Sequence, residues 1–274
     1  MVDKFVFYSK SANAKKPGKG IGEKVGNPKD YTELENINEW RKALSNLHIA
    51  PFRLDDNDWN SVEHFFHAVK FRNNKIESKN YDFYQTFALN GDRPWSTNPY
   101  FAKQAGKAGR TSAKGVVYNK TIEGFKIPDI KMRQDFYTSK VDSRLQKLAF
   151  LAKFTQHENL KRLLLATGDA ELWHYTQNRG GKPKVPKDEG KPKVPKDEGK
   201  PIEDEGEDEG EDEGDDEEGE GKPTEGEGKP EVNKNLILFK ELMMVRDCIR
   251  KFDKVCNLAD VSKFSSDIIT KILK

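Results

Sequence analysis

The chain has 274 residues, with 34% charged and only 34% hydrophobic residues and a formal net charge of +2, against about 25% and 45–50% in an ordinary globular chain. No apolar run approaches the ~18 residues that suggest a membrane span, so no membrane partner is expected. The start, Met-Val-Asp-Lys-Phe-Val-Phe-Tyr, lacks a cationic segment followed by a long apolar one, so no secretory signal is expected either.

In chain order, residues 4–8 predict a short strand, and residues 10–30, rich in Gly, Lys, Asn and Pro, predict a mobile loop. A short helix is expected over 33–44. Residues 47–54 alternate, with Leu47 and Ile49 inward and His48 and Arg53 outward, and Pro51 makes this an edge strand. The acidic run 55–58 is the turn that follows it. A helix then starts with Asn60 as N-cap and Glu63 three residues on, as in a capping box. Val62, Phe65, Phe66 and Val69 form its apolar stripe, while Glu63, His67 and Lys70 recur on another face. One helix thus offers a carboxylate, an imidazole and an ammonium on one side.

Ser96-Thr97-Asn98-Pro99 opens a helix that continues over 100–108. A strong helical pattern spans 142–154, with Leu145, Leu148 and Leu151 inward and Lys153 near its end, where a cation suits the helix dipole. A second helix over 158–166 is closed by Gly168. The charge then changes abruptly. Residues 181–231 carry 9 Lys against 21 Asp and Glu, a net of −12, whereas the other 223 residues carry 39 Lys and Arg against 25 Asp and Glu, a net of +14. The unit Gly-Lys-Pro-Lys-Val-Pro-Lys-Asp-Glu occurs at 181–189 and again at 190–198, and residues 202–221 hold 14 Asp and Glu in 20 positions. Such a stretch buries too little apolar surface to offset its chain entropy, so disorder is expected. Its default role is a solvating spacer, and its acidic spacing fits no calcium-binding loop.

Structure is expected to resume at 235, with Leu238, Leu242, Val245, Ile249 and Phe252 on one face of a long helix, and a further short helix over 260–274. Cys248 and Cys256 lie eight positions apart in this helical pattern, which separates them by ~12 Å, too far for a disulfide. Free thiols and a cytoplasmic, soluble protein are therefore expected.

Six blocks together resemble one family. They are Leu44-Ser45-Asn46-Leu47; Trp59-x-x-x-Glu63-His64-Phe65-Phe66-x-Ala68-x-Lys70-Phe71; Asn98-Pro99-x-x-Ala102-Lys103-x-x-Gly106; Leu148-x-x-x-x-Lys153-Phe154-x-Gln156-His157-x-x-Leu160; Leu163-Leu164-Leu165-Ala166-Thr167-Gly168; and Leu242-Met243-x-Val245-Arg246. In order and spacing they resemble the YbiA-like, or NADAR, family over residues 4–8, 44–178 and 233–252. The resemblance implies a mostly helical α+β single domain with a small sheet. It also implies an N-glycosidase, a hydrolase of N-glycosyl bonds. Some members cleave the first two, phosphoribosylamino-pyrimidine, intermediates of riboflavin biosynthesis; others remove ADP-ribose from guanine bases. The expected domain is residues 1–180 plus 232–256, interrupted by a disordered acidic low-complexity insert at 181–231 and followed by a helical extension at 257–274. Two departures stand out. Asp135-Phe136-Tyr137 replaces a Trp-rich stretch, and residues 172–179 run into the insert without the family's Asp-x-x-Trp-Gly and Asn-x-Leu-Gly turns.

N-glycosidic cleavage passes through an oxocarbenium-like cation, which a carboxylate stabilises while it orients water. A group that moves a proton onto the leaving base contributes roughly 10²–10⁴ in rate. Glu63 is the candidate carboxylate, with Asp135 as a second acid and His67 as a proton relay. The competing reading of Glu63 is a helix cap. Lys70, Lys103 and Arg110 are candidates for the substrate phosphate, against the alternative of solvated surface cations. Trp95 is the candidate stacking ring, and Arg246 matches the family's arginine. Trp59 is expected to pack at a strand–helix junction. No metal and no cofactor are expected.

The expected partner is a small phosphoribosyl substrate, with ribose 5-phosphate released as a metabolite damage-control activity. Two alternatives are carried beside it. One is ADP-ribosyl-guanine hydrolysis on nucleic acid, which the +14 body favours and the tethered −12 tract opposes. The other is a degenerate, non-catalytic module that binds nucleotide or ADP-ribose, motivated by the two departures. Composition leaves the oligomeric state open.

Overall fold

The computed structural model describes residues 2–8, 11, 16–73, 78–108, 121–134, 136–175 and 236–252. The acidic insert at 181–231, the extension at 257–274 and Cys256 lie outside the described residues. The fold is α+β. In chain order it runs β1 (Lys4–Phe7), α1 (Thr32–Glu35), α2 (Trp40–Ala43), β2 (Phe52–Leu54), β3 (Asn57–Trp59), α3 (Val62–Ala68), α4 (Lys79–Gln85) and α5 (Pro99–Ala105). It continues through β4 (Thr121–Ile122), β5 (Phe125–Lys126), α6 (Val141–Gln156), α7 (Glu158–Ala166), β6 (Glu171–Tyr175), β7 (Leu236–Leu238) and α8 (Lys240–Phe252). Among the described residues no helix is long and apolar enough to cross a membrane.

Three strands form a sheet in the order β1-β6-β7, with β1 parallel to β6 and β6 antiparallel to β7. Parallel neighbours need a crossover, and here the helices from α1 to α7 supply it. Helix α6 is central: it packs on α3, α7 and α8, with Leu145, Ala149 and Ala152 fully buried. The core is aromatic. Trp40, Trp59, Trp95, Phe5, Phe65, Phe71, Phe87 and Phe136 are all enclosed. As expected, Trp59 packs at the β3–α3 junction; its indole N–H donates to the Leu54 carbonyl at 2.8 Å.

Several local expectations are corrected. The stretch 33–44 breaks into α1 and α2 because Glu39 adopts a left-handed backbone, with φ of 52°. Only Phe52–Leu54 of the 47–54 stretch is a strand, and it pairs with β3 through a two-residue turn. Asp55 and Asp56 both have positive φ, 54° and 61°, which is the backbone such a hairpin turn demands. The loop expected at 10–30 is pinned where it is described. Glu23 is paired to Arg41 through two contacts of 2.7 Å and accepts the backbone N–H groups of Val6, Gly18 and Gly20. The helix expected from Leu238 begins at Lys240, because Leu236–Leu238 joins the sheet instead. Gly168 closes α7 as expected, at φ of +56°.

The segment that leads into α3 is clamped by α6. Lys153, fully buried, donates to the carbonyls of Ala43 at 2.8 Å and Ser45 at 3.0 Å. The side-chain amide of Gln156 pairs with both backbone groups of Arg53, at 2.8 Å each, and so protects the edge of β2. His157 reaches the Pro51 carbonyl at 2.7 Å. These residues of the fourth block therefore act on structure. Burial pulls the Lys153 amine down to about 7 from its ordinary 10.5. Between those values the unfolded chain binds a proton that the folded chain does not, so stability rises with pH across that window. The expected gain from pH 7 to 10 is on the order of a few kcal/mol, and it should be absent in Lys153→Met. Chemical denaturation of both proteins at several pH values tests this; identical slopes would contradict it.

Candidate active site

Helix α3 carries the central residues. The Asn60 cap and its capping box do not form. Asn60 donates through Nδ2 to the Ser96 carbonyl at 2.8 Å, and Ser61 takes the N-cap position without a side-chain cap hydrogen bond. The Glu63 N–H is satisfied instead by the Asn46 carbonyl at 3.0 Å. The Glu63 carboxylate is thereby released from the helix end. Ser61 Oγ lies 2.8 Å from His64 Nδ1, which turns His64 into the core.

Three side chains then align along one face of α3 and the turn after it. Glu63 Oε1 lies 3.0 Å from His67 Nε2, and His67 Nδ1 lies 2.8 Å from Lys70 Nζ. An ammonium has no acceptor to offer, so Lys70 donates to Nδ1. The proton of the neutral ring then sits on Nε2 and is donated to Glu63. All three are nearly enclosed, at 6%, 7% and 1% exposure. The Lys70 amine also sits 5.1 Å above the Phe66 ring and 5.8 Å from that of Tyr137.

The electrostatics agree with this arrangement. Burial alone would raise the Glu63 carboxyl, but the His67 hydrogen bond and the charges of His67, Lys103 and Lys70 outweigh it and hold it below its ordinary value. Burial, then the Lys70 charge, pulls His67 down to about 4 against the opposing pull of Glu63. At neutral pH the row therefore pairs a carboxylate with a neutral imidazole, whose other nitrogen meets the Lys70 amine.

Lys103 stands exposed on α5, which packs against α3, and its charge reaches both Glu63 and His67. From β6, His174 feels Glu63 and Lys103 as well, while burial lowers its pKa. His174 packs against Phe7 and Phe239, with centroids 5.5 and 5.9 Å away. The sequence reading missed this histidine. The available signal was the alternation in Glu171–Tyr175, which puts Leu172 and His174 on one face of a strand.

The remaining candidates divide. Trp95 is only 1% exposed, lies among Phe83 and Phe87, and donates its indole N–H to Thr86 Oγ1 at 2.9 Å. It has no open face on which a ligand ring could stack. Arg246 is buried on α8, where it donates to Thr167 Oγ1 at 3.0 Å and to the Ala170 carbonyl at 2.8 Å. The charges that bear on it are those of Asp247, Arg250, Asp169 and Tyr31, none of them in the Glu63 row. Its place is the junction of α7 and α8, with Arg250 alongside on Asp169. Asp135 and Arg110 lie outside the described residues. Among the described residues no cluster of His, Cys, Asp and Glu is arranged to hold a metal ion.

No family model matches the chain. Over 135 residues it is 28% identical to N-glycosidase YbiA of Shigella flexneri serotype 5b (strain 8401), covering 49% of this chain and 63% of that protein. N-glycosidase YbiA of Shigella flexneri matches with the same figures. Among solved structures, the NMR structure of the E. coli protein YbiA is 25% identical, covers 50% of this chain and 62% of that one, and superposes with a TM-score of 0.34. The chain thus spans less than two thirds of the length of the relatives it matches.

Proposed function

We propose that the chain is a YbiA-like N-glycosidase that hydrolyses the bond between ribose 5-phosphate and an amino-pyrimidine. The observation that carries this reading is the ionised Glu63, held by His67 and Lys70 beside Lys103. Its similarity to proteins named N-glycosidase supports the same reaction class.

The reaction breaks the C1–N bond, whose electron pair leaves with the base nitrogen. Positive charge develops on C1 and the ring oxygen, and the nearly enclosed Glu63 carboxylate stabilises it. A water oxygen bonds to C1 and gives its proton to Glu63, which returns one proton to the departing nitrogen. His67, neutral at this pH, orients Glu63 through its Nε2–H rather than supplying the proton. Lys103, the exposed cation, suits the phosphate, and Lys70 serves the row from within.

A second reading keeps the chemistry and exchanges the substrate for an ADP-ribosyl-guanine on nucleic acid, favoured by the +14 charge outside residues 181–231. Specificity constants for 5-amino-6-(5-phosphoribosylamino)uracil and for an ADP-ribosylated guanine oligonucleotide, at low and high salt, separate the two. The first reading expects the small substrate to react faster at both; a faster, salt-sensitive oligonucleotide reaction favours the second.

The pH profile follows from the same row. Glu63 is held ionised, and His67 stays neutral down to about 4. Activity is therefore expected to stay level from pH 8 to about pH 5 and to fall near pH 4. A fall centred near the 6.5 of an ordinary histidine would contradict this assignment.

A further inference from the structure

We propose that Gly106 is a positioning residue for the Glu63 carboxylate, because only a residue without a side chain lets the His67 ring reach Glu63 and Lys70 together. This rests on the reading of the α3 row as the reactive site. Gly106 caps α5, where its N–H donates to the Ala102 carbonyl. Its φ of −65° is open to any residue, so its backbone freedom is not what the position requires. The requirement is space. A Cβ added there would stand 2.6 Å from His67 Cγ and 2.8 Å from His67 Cβ, and nearer still to Nδ1. Real Cβ contacts do not come so close, and the ring has little room to yield. His67 is 7% exposed, with the Phe66 ring edge-on at 5.6 Å.

The backbone at the end of α5 therefore forms one wall of a slot for the imidazole. Glu63 and Lys70 hold its two nitrogens, and the charges of Lys103 and Glu63 act on the ring from α5 and α3. A ring displaced by a methyl group cannot keep both bonds, at 3.0 and 2.8 Å. Loss of the Nδ1 bond leaves the tautomer unfixed, and loss of the Nε2 bond frees Glu63 to rotate. A helix-packing residue would act on stability alone; Gly106 acts on one identified ring.

The test is a double-mutant cycle in the full chain, using Gly106→Ala, His67→Ala and the double variant. Each is measured for hydrolysis of the phosphoribosylamino-pyrimidine and for Tm, and Gly106→Ala is compared with the parent by 15N NMR of the histidine rings. Gly106→Ala is expected to lose about as much activity as His67→Ala, ~10²-fold. The double variant should lose no more than His67→Ala, because residues acting as a unit are not additive. Its Tm should exceed that of Gly106→Ala, since the clashing ring is gone. The His67 signal should report an Nε2–H ring in the parent and a mixture of tautomers in Gly106→Ala. Additive losses, a double variant as unstable as Gly106→Ala, or an unchanged tautomer would overturn the proposal. An inactive parent would defeat the glycosidase reading, while the NMR and Tm comparisons would still decide the role of Gly106.

Discussion

Glu63→Gln is expected to lower kcat for N-glycoside hydrolysis by about 10³-fold, equivalent to about 4 kcal/mol of transition-state stabilisation. The substitution isolates charge from structure. A glutamine oxygen can still accept the His67 Nε2–H, and the Glu63 N–H still meets the Asn46 carbonyl, so the helix keeps its contacts. What is lost is the negative charge that would face the developing cation, and the base that would take the proton from water. Tm should change by only a few degrees. Since no capping box forms, the helix start does not depend on this carboxylate. Steady-state release of ribose 5-phosphate by parent and variant measures the effect. Equal rates would reduce Glu63 to a buried partner of His67.

Glu23→Ala should produce the largest loss of stability. Breaking a buried ion pair by removing one partner costs about 3–5 kcal/mol, because the other charge is left in the interior. Arg41 is 4% exposed as a side chain and Glu23 is fully enclosed. The carboxylate also holds three backbone N–H groups, those of Val6, Gly18 and Gly20, and each would lose its acceptor. The guanidinium lies 4.0 Å over the Trp40 ring and donates to the Lys16 carbonyl, so it cannot turn outward freely. In a domain of this size such a loss lowers Tm by about 10 °C. The consequence reaches the site. Val6 belongs to β1, whose register with β6 sets Phe7 opposite His174. Thermal unfolding followed by circular dichroism tests this, and a change of under about 1 kcal/mol would show the pair to act like an exposed one.

The α3 part of the candidate site was legible because its helix is local, whereas Trp95 and Arg246 lie elsewhere in the fold. Glu63, His67 and Lys70 share a face by spacing alone, and the structure brings them into one hydrogen-bonded row. The cap was misread because the sequence cannot say that a loop 17 residues upstream supplies the acceptor, here the Asn46 carbonyl for the Glu63 N–H. Trp95 reads as a loop aromatic free to stack, but packing against Phe83 and Phe87 on and after α4 encloses it. Arg246 leaves the apolar stripe of its helix and yet is buried, because the end of α7 needs a donor for Thr167 and Ala170. The sheet was the least legible part. β1 and β6 lie more than 160 residues apart and pair in parallel, and no local pattern encodes such a partnership. That pairing sets His174 opposite Phe7, where the charges of Glu63 and Lys103 reach it.

The most direct test of the N-glycosidase reading is a mass balance. The full chain is incubated with 5-amino-6-(5-phosphoribosylamino)uracil, and ribose 5-phosphate and the free diaminopyrimidine are quantified over time against a blank without protein. The account predicts multiple turnovers with the two products appearing in equal amounts. Tight binding of the compound without release of either product would contradict it, and would make the Glu63 row a binding site rather than a catalytic one.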